Sequence, residues 1–292
     1  MNKFTIISGK TSEVLAKKLA EKLGANLLKT QLRVFEDGES KITIKGRLEK
    51  NKIIVIQSTY PPVDENLIQL LSIISKAKEI GTEVITVIPY MGYARQDKEF
   101  LPGEIITMKV IANLLKSVGT SKIIVVDIHS AIGLNYFNIK TQNVSAIPNL
   151  AKYFLKIKLK NPLVVSPDQG GKHRAKEFAK FLKTDFISLV KIRNRRTGKV
   201  EIKYTKFNEI IGRDLILVDD MISTGGSIIK ATKFLKKQKC NRIFVACTHA
   251  LLRNSAEKKI KKAGVTKIIS TITIPGKTSI VDVSDVIVKA IL

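Results

Sequence analysis

The stretch LILVDDMISTGGS, Leu215–Ser227, decides how the chain is read. Its first part is a continuous apolar run, as expected of a strand buried on both faces. Two carboxylates, Asp219 and Asp220, end that run. A loop of hydroxyls and glycines follows, Ser223, Thr224, Gly225 and Gly226, and a helix is expected to open at Ser227. Glycines let backbone N–H groups approach an oxyanion closely. The hydroxyls add donors, and the start of a helix adds partial positive charge. Together they predict a seat for one phosphate monoester. Adjacent carboxylates suit hydrogen bonds from vicinal sugar hydroxyls, or Mg²⁺. A Gly-rich turn capped by Asp is the structural alternative. Ligands of α/β proteins bind at the carboxyl ends of parallel strands, which favours the seat.

Outward from this stretch, short β-branched runs recur: FTIIS, KIIVIQS, EVITVIP, KIIVVDIH, LVVSPD, RIFVACTHA and KIISTITI. Between them lie segments with apolar residues three and four apart, at 11–23, 65–80, 105–117, 172–182, 227–237 and 254–262. Strands alternating with helices predict an α/β protein with parallel sheets and right-handed crossovers. The alternation restarts after residue 145, where SAIPNLAKYF holds a Pro and opens a new helix. Two domains are expected, 1–145 and 146–279, with a terminal helix within 280–292 packing back on the first.

Composition agrees with two ordinary domains. The chain has 292 residues, 44% of them hydrophobic, which supports a core and excludes a disordered chain. Aromatic residues are 6% and Trp is absent, which argues against a base-stacking nucleic-acid surface. The formal net charge is +26. Stretches such as AEKKIKKAG, Ala256–Gly264, interleave lysine with apolar residues as solvated helix faces do, and the resulting field also favours anionic substrates. Cys240 and Cys247 form neither a zinc pattern nor a disulfide framework. No apolar run reaches the roughly 18 residues of a membrane helix, and MNKFTIISGK lacks a secretory pattern. A soluble, cytoplasmic protein is expected, with no membrane or nucleic-acid partner.

The stretch VDD…STGG resembles the phosphoribosyl-phosphate loop of the type I phosphoribosyltransferase fold. Four further stretches resemble motifs of the ribose-phosphate pyrophosphokinases: RVFEDGES (Arg33–Ser40), IPYMGYARQDKEF (Ile88–Phe100), VVDIHS (Val125–Ser130) and VVSPDQGGKHRA (Val164–Ala175). Their order and approximate spacing match as well, over nearly the whole chain. The shorter, archaeal-type members are the nearest in form.

Each motif also has a physical reading. In FEDGE, Phe35 offers a π-face to a base while Asp37 and Glu39 accept from an amino group; Asp37-Gly38 equally makes a hairpin turn. In YARQD, Arg95 can fork onto phosphate and Gln96 can bond base or ribose, or both can lie on a solvated loop. His129 ends a strand beside an acid, where sites gather. His173 is a weaker candidate and His249 reads as core. SLVKIRNRRTGKVEIKY, from Ser188, reads as strand, basic turn and returning strand, with Lys191 and Arg193 on one face and Arg195 and Arg196 as solvated turn residues.

The resemblance implies two parallel-sheet domains of the type I phosphoribosyltransferase fold. It implies synthesis of phosphoribosyl pyrophosphate by transfer of the β,γ-diphosphoryl group of Mg-ATP to ribose 5-phosphate, with release of AMP. ATP falls to Phe35, Asp37, Gly38, Glu39, Arg95 and Gln96. Ribose 5-phosphate falls to Asp219, Asp220, Ser223, Thr224, Gly225, Gly226 and Ser227. Mg²⁺ falls to His129 and Asp168, and the catalytic pair is Lys191 and Arg193. A homo-oligomer, a dimer at least, is implied by ATP sites shared between subunits. Many members carry Asp where Ser223 stands and Thr where Ser227 stands; the first change removes a negative charge beside the phosphate. The competing readings are a phosphoribosyltransferase, a non-catalytic regulatory paralogue, and a basic nucleic-acid binder.

Overall fold

The computed structural model describes residues 3–193, 200–203 and 210–292. The chain divides into two compact units: Met1–Ser145 with Ile272–Pro275 and Asp282–Leu292, and Ala146–Thr271 with Gly276–Val281.

The first unit contains β1 (Phe4–Ser8), α1 (Glu13–Leu23), β2 (Asn26–Val34), β3 (Ser40–Lys45), β4 (Lys52–Ile56), α2 (Val63–Ile80), β5 (Glu83–Ile88), α3 (Thr107–Ser117), β6 (Lys122–Val126) and β7 (Lys140–Val144). The strand order is β3-β2-β1-β4-β5-β6-β7. Every pair is parallel except β2 with β3, an antiparallel hairpin at one edge. Ile53 and Val55 of β4 share one apolar cluster with Leu70, Ile74, Met108 and Ile111 of α2 and α3. Ile54 and Ile56 between them are equally buried, so the central strand is covered on both faces, as its unbroken apolar run predicts.

The second unit contains α4 (Ile147–Phe154), β8 (Leu163–Ser166), α5 (Lys172–Leu182), β9 (Phe186–Ser188), β10 (Val190–Arg193), β11 (Val200–Lys203), β12 (Leu215–Ile222), α6 (Gly226–Lys237), β13 (Ile243–Ala250), α7 (Ala256–Lys262), β14 (Lys267–Thr271) and β15 (Ser279–Val281). Its sheet runs β15-β14-β13-β12-β8-β9, all parallel, and β10 and β11 form a separate antiparallel ribbon. Alternation is plain on β12. Leu215 and Leu217 join one cluster with Ile228 of α6 and Ile260 of α7, while Ile216 and Val218 join another with Phe154 of α4 and Phe178 of α5.

The last helix, α8 (Ser284–Ile291), belongs to the first unit. Lys18 pairs with Asp282 at 3.3 Å, Lys22 pairs with Asp285, and the Lys122 ammonium donates to the carbonyl of Ala290. Residues 272–275, assigned to the second domain from sequence, also lie in the first, where Ser58 Oγ donates to the Thr273 carbonyl at 2.7 Å. No helix among the described residues is long and apolar enough to cross a membrane.

At the foot of β12, Asp214 is fully buried. It accepts from Lys160 N at 2.7 Å, Asn241 Nδ2 at 2.8 Å and Arg242 Nη2 at 2.6 Å. Burial works against its charge, but the donors from Arg242 and Lys160 outweigh it and hold the carboxyl below the usual range. The sequence gives this residue no prominence.

Candidate functional site

Strand β12 runs two residues beyond the acidic pair, to Ile222, and α6 opens at Gly226. Asp219 and Asp220 therefore lie within the strand, and the phosphate-type loop is shorter than the sequence suggests, Ser223 to Gly225. Gly225 sits in the left-handed region at φ 77°, which favours glycine, and a Cβ there would also come 2.7 Å from Ile260 Cδ1, so that side chain would have to shift. A Cβ on Gly226 would meet nothing within 4 Å. Thr224, Gly226 and Ser227 are exposed, Ser223 is half-buried, and no side chain caps the start of this twelve-residue helix. Unbonded N–H groups at a helix start are an anion seat. The loop is backed by the chain after β13, where Leu252 and Arg253 donate their N–H groups to the carbonyls of Ile222 and Ser223, each at 3.0 Å.

Asp220 has the strand parity of Ile216 and Val218, the side covered by α5. Arg174 on that helix reaches it, Nη2 to Oδ1 at 3.1 Å, and approaches Asp219 Oδ1 at 3.7 Å. The side chains of Asp219, Asp220 and Arg174 are 17%, 3% and 14% exposed. Burial pushes the Asp219 carboxyl well above the usual range, and the charge of Asp220 pushes the same way; Arg174 opposes and Asp168 adds. Cys247, opposite Asp219 in the register, is fully buried, and burial followed by the two acids raises its thiol well above the ordinary value.

Asp168 stands on the loop after β8. Its Oδ1 accepts from Gly171 N at 3.2 Å, and its carbonyl accepts from Ser166 Oγ at 2.6 Å and Ser188 Oγ at 2.9 Å. The carboxylate is half-buried and electrostatically coupled to Asp219. A hard oxygen held this way fits Mg²⁺, which takes one or two carboxylates and fills the remaining positions with water and substrate phosphates. Among the described residues no three His, Cys, Asp or Glu side chains converge as a cage.

In the first unit, residues 35–39 form the tip of the β2–β3 hairpin, so the turn reading of Asp37-Gly38 is structurally correct. Phe35 N donates to Glu39 O at 2.9 Å, Gly38 N to Phe35 O at 3.0 Å, and Glu39 N to Asp37 Oδ1 at 3.1 Å. Gly38 takes φ 91°. Phe35 is 40% exposed, with the Arg33 guanidinium 4.9 Å from its ring centroid. Arg95 and Gln96 are exposed on the loop after β5, and His129 is exposed on the loop after β6. These two loops are joined by buried Asp97. Ser130 Oγ donates to its carboxylate, and Tyr136 Oη donates to its carbonyl at 2.8 Å. Met108 N reaches Gln96 O at 3.1 Å.

Lys191 and Arg193 lie on β10 of the ribbon, paired with Ile202 and Val200. Their side chains, and Arg195 and Arg196 altogether, lie outside the described residues. His173 is exposed on the first turn of α5, and His249 is buried within β13.

Arg174, Asp97 and Ser130 carry no assignment from sequence. Nothing in the sequence singles out Arg174, whose contact with the acids depends on how α5 packs on β12.

Residues 4–119 match the N-terminal domain of ribose phosphate pyrophosphokinase, and residues 138–284 match the phosphoribosyl transferase domain. The ribose-phosphate pyrophosphokinase of Sulfurisphaera tokodaii is 36% identical over 290 residues, 98% of this chain and 99% of that one. That of Methanobrevibacter smithii is 36% identical over 285 residues, 94% and 95% of the two chains. The crystal structure of phosphoribosylpyrophosphate synthetase from Mycobacterium smegmatis has the same fold, with a TM-score of 0.85 at 24% identity over 99% of this chain and 97% of that one.

Proposed function

The chain belongs to the ribose-phosphate pyrophosphokinases, and from that premise we propose how its residues divide the work of making phosphoribosyl pyrophosphate from ribose 5-phosphate and ATP. The observation that carries the division is the head of β12, where two nearly buried carboxylates stand beside an uncapped helix start behind a left-handed glycine.

Ribose 5-phosphate is assigned to the second unit. Its phosphate takes the N–H groups and hydroxyls of Ser223, Thr224, Gly225, Gly226 and Ser227. Asp219 and Asp220 accept from the vicinal ring hydroxyls, which orients the sugar by two charge-assisted bonds. ATP is assigned to loops of the first unit. Phe35 gives the base a flat apolar face, and Asp37 and Glu39 accept from its amino group. Gly38 lets the turn close beneath them, Arg95 forks onto phosphate, and Gln96 bonds ribose or base.

In this reaction the anomeric hydroxyl attacks the β-phosphorus, the β,γ-diphosphoryl group moves as a unit, and AMP leaves. Lys191 and Arg193 are assigned to the charge that develops on the transferring group. Asp168 in the second unit would hold Mg²⁺, and His129 in the first is assigned to metal as a weaker nitrogen ligand; Mg²⁺ would neutralise phosphate charge when bound. No covalent intermediate is required, because positioning and charge compensation supply the catalysis. A homo-oligomer of at least two chains, in the cytoplasm, completes this reading; sedimentation velocity measures the first.

The test is product analysis. With ribose 5-phosphate and Mg-ATP, AMP and phosphoribosyl pyrophosphate should form in equal amounts. ADP in place of AMP would mean single-phosphoryl transfer and refute the assigned chemistry.

A further inference from the structure

Arg174 sits on the first turn of α5 together with Lys172 and His173, and no acid shares that turn. The dipole of a helix disfavours a cation at this end. The place of Arg174 therefore answers to something outside its own helix, and that is the acidic pair of β12. One nitrogen, Nη2, is 3.1 Å from Asp220 Oδ1 and 3.7 Å from Asp219 Oδ1. Two adjacent carboxylates with so little exposure repel each other with little water to screen them. A guanidinium between them supplies the missing charge, fixing the direction of Asp220 by a hydrogen bond and reaching Asp219 as an ion pair.

The base of this arm is also fixed. Gly171, one turn earlier, donates its N–H to Asp168 Oδ1, and a Cβ in its place would fall 2.7 Å from Ser166 Oγ and 3.8 Å from Arg174 Nη2. The helix start is thus pressed against the loop beneath it. Arg174 Nε is buried without a hydrogen-bond partner. An unmade bond from a buried donor is a cost, so the arginine keeps this pose for its contact with the acids and not for its own satisfaction.

We propose that Arg174 is a positioning residue for the sugar: it holds Asp219 and Asp220 aligned as acceptors for vicinal hydroxyls. The proposal rests on the assignment of ribose 5-phosphate to that pair. It predicts a selective effect, because the acids lie in the second unit and the nucleotide is assigned to the first. Arg174→Gln removes the charge at similar length. It should raise KM for ribose 5-phosphate about tenfold, the scale of a lost charge-assisted bond, and leave KM for ATP within a factor of about two. Arg174→Lys keeps the charge on a shorter side chain without the planar guanidinium and should recover part of the loss. A merely structural role would instead lower the unfolding midpoint and the active fraction, so kcat would fall with both KM values unchanged.

The experiment is steady-state kinetics on both variants in the full chain, with thermal unfolding of each. It is joined by calorimetric titration of ribose 5-phosphate into wild type, Arg174→Gln and Asp220→Asn. Weaker ribose 5-phosphate binding in both variants, with ATP kinetics spared and partial rescue by lysine, supports the proposal. Weaker binding in Asp220→Asn alone removes the role of Arg174 and leaves the sugar assignment standing. Unchanged binding in Asp220→Asn removes the sugar assignment and the proposal with it.

Discussion

The two units use the same kind of sheet to present different kinds of site. In the second unit the residues assigned to ribose 5-phosphate come from one unbroken stretch, 219–227, with the acids on β12 and the loop continuous with α6. In the first unit they are scattered over a hairpin tip, the loop after β5 and the loop after β6, and each is exposed. On the proposed reading the difference follows from ligand size. One monoester and the ring beside it fit a single nest at a helix start. A nucleotide triphosphate is longer, so base, ribose and phosphates must be met by separate loops, here braced through Asp97. A compact site tolerates little change anywhere, whereas a dispersed one loses affinity piece by piece.

The largest effect should come from the ribbon. Lys191→Ala should lower kcat about a hundredfold or more while changing either KM little, as when one preorganised donor to a transition state is removed. Near-normal turnover would take Lys191 out of the chemistry.

Next comes a contrast along β12 itself. Asp214 at its foot is an acid serving the fold; Asp219 and Asp220 near its head are, on the proposed reading, acids serving the site. Asp214→Ala should cost about 3 kcal/mol of stability by leaving buried donors unpaired, read as a lower unfolding midpoint, with both KM values intact in the folded fraction. The wild-type carboxyl is held below its ordinary pKa. Its stabilisation is therefore full above an ordinary carboxylate pKa of about 4 and is lost as pH falls through the lower folded value. Acid titration of stability should show this loss in wild type and a flatter curve below about pH 4 in Asp214→Asn.

Asp220→Asn should raise KM for ribose 5-phosphate about tenfold by weakening a charge-assisted acceptor, with KM for ATP unchanged. The smallest effect should be the mirror case in the first unit. Phe35→Ala should raise KM for ATP about three- to tenfold through lost stacking and leave ribose 5-phosphate unaffected. If the two variants each moved both KM values equally, the division between the units would be lost.

The same contrast governs what the sequence discloses. Central strands are apolar along IIVI (Ile53–Ile56) and LILV (Leu215–Val218) because both faces are covered, and they are visible as runs. The hairpin strands β2 and β3 and the edge strand β7 are mostly polar and exposed. KTQNV buries only Val144, so no run marks it. The Pro of SAIPNLAKYF marks the opening of α4, but nothing in KIISTITI shows that 272–275 leave the second unit, since apolar residues continue across the change. The loop after β12 is legible because glycines, hydroxyls and acids are contiguous. Arg174 is not, because its role depends on which face of α5 meets β12, a fact of packing. Phe35, Arg95 and Gln96 stand out chiefly through resemblance to a family, since a hairpin turn and a solvated loop account for their residues equally well.

The most direct test of the whole account is a crystal structure with ribose 5-phosphate and a non-hydrolysable ATP analogue bound together. The account predicts the sugar phosphate on Ser223–Ser227 with ring hydroxyls on Asp219 and Asp220, and the base against Phe35 with phosphates toward Arg95. Nucleotide phosphates seated in the 223–227 loop, with the sugar elsewhere, would contradict it.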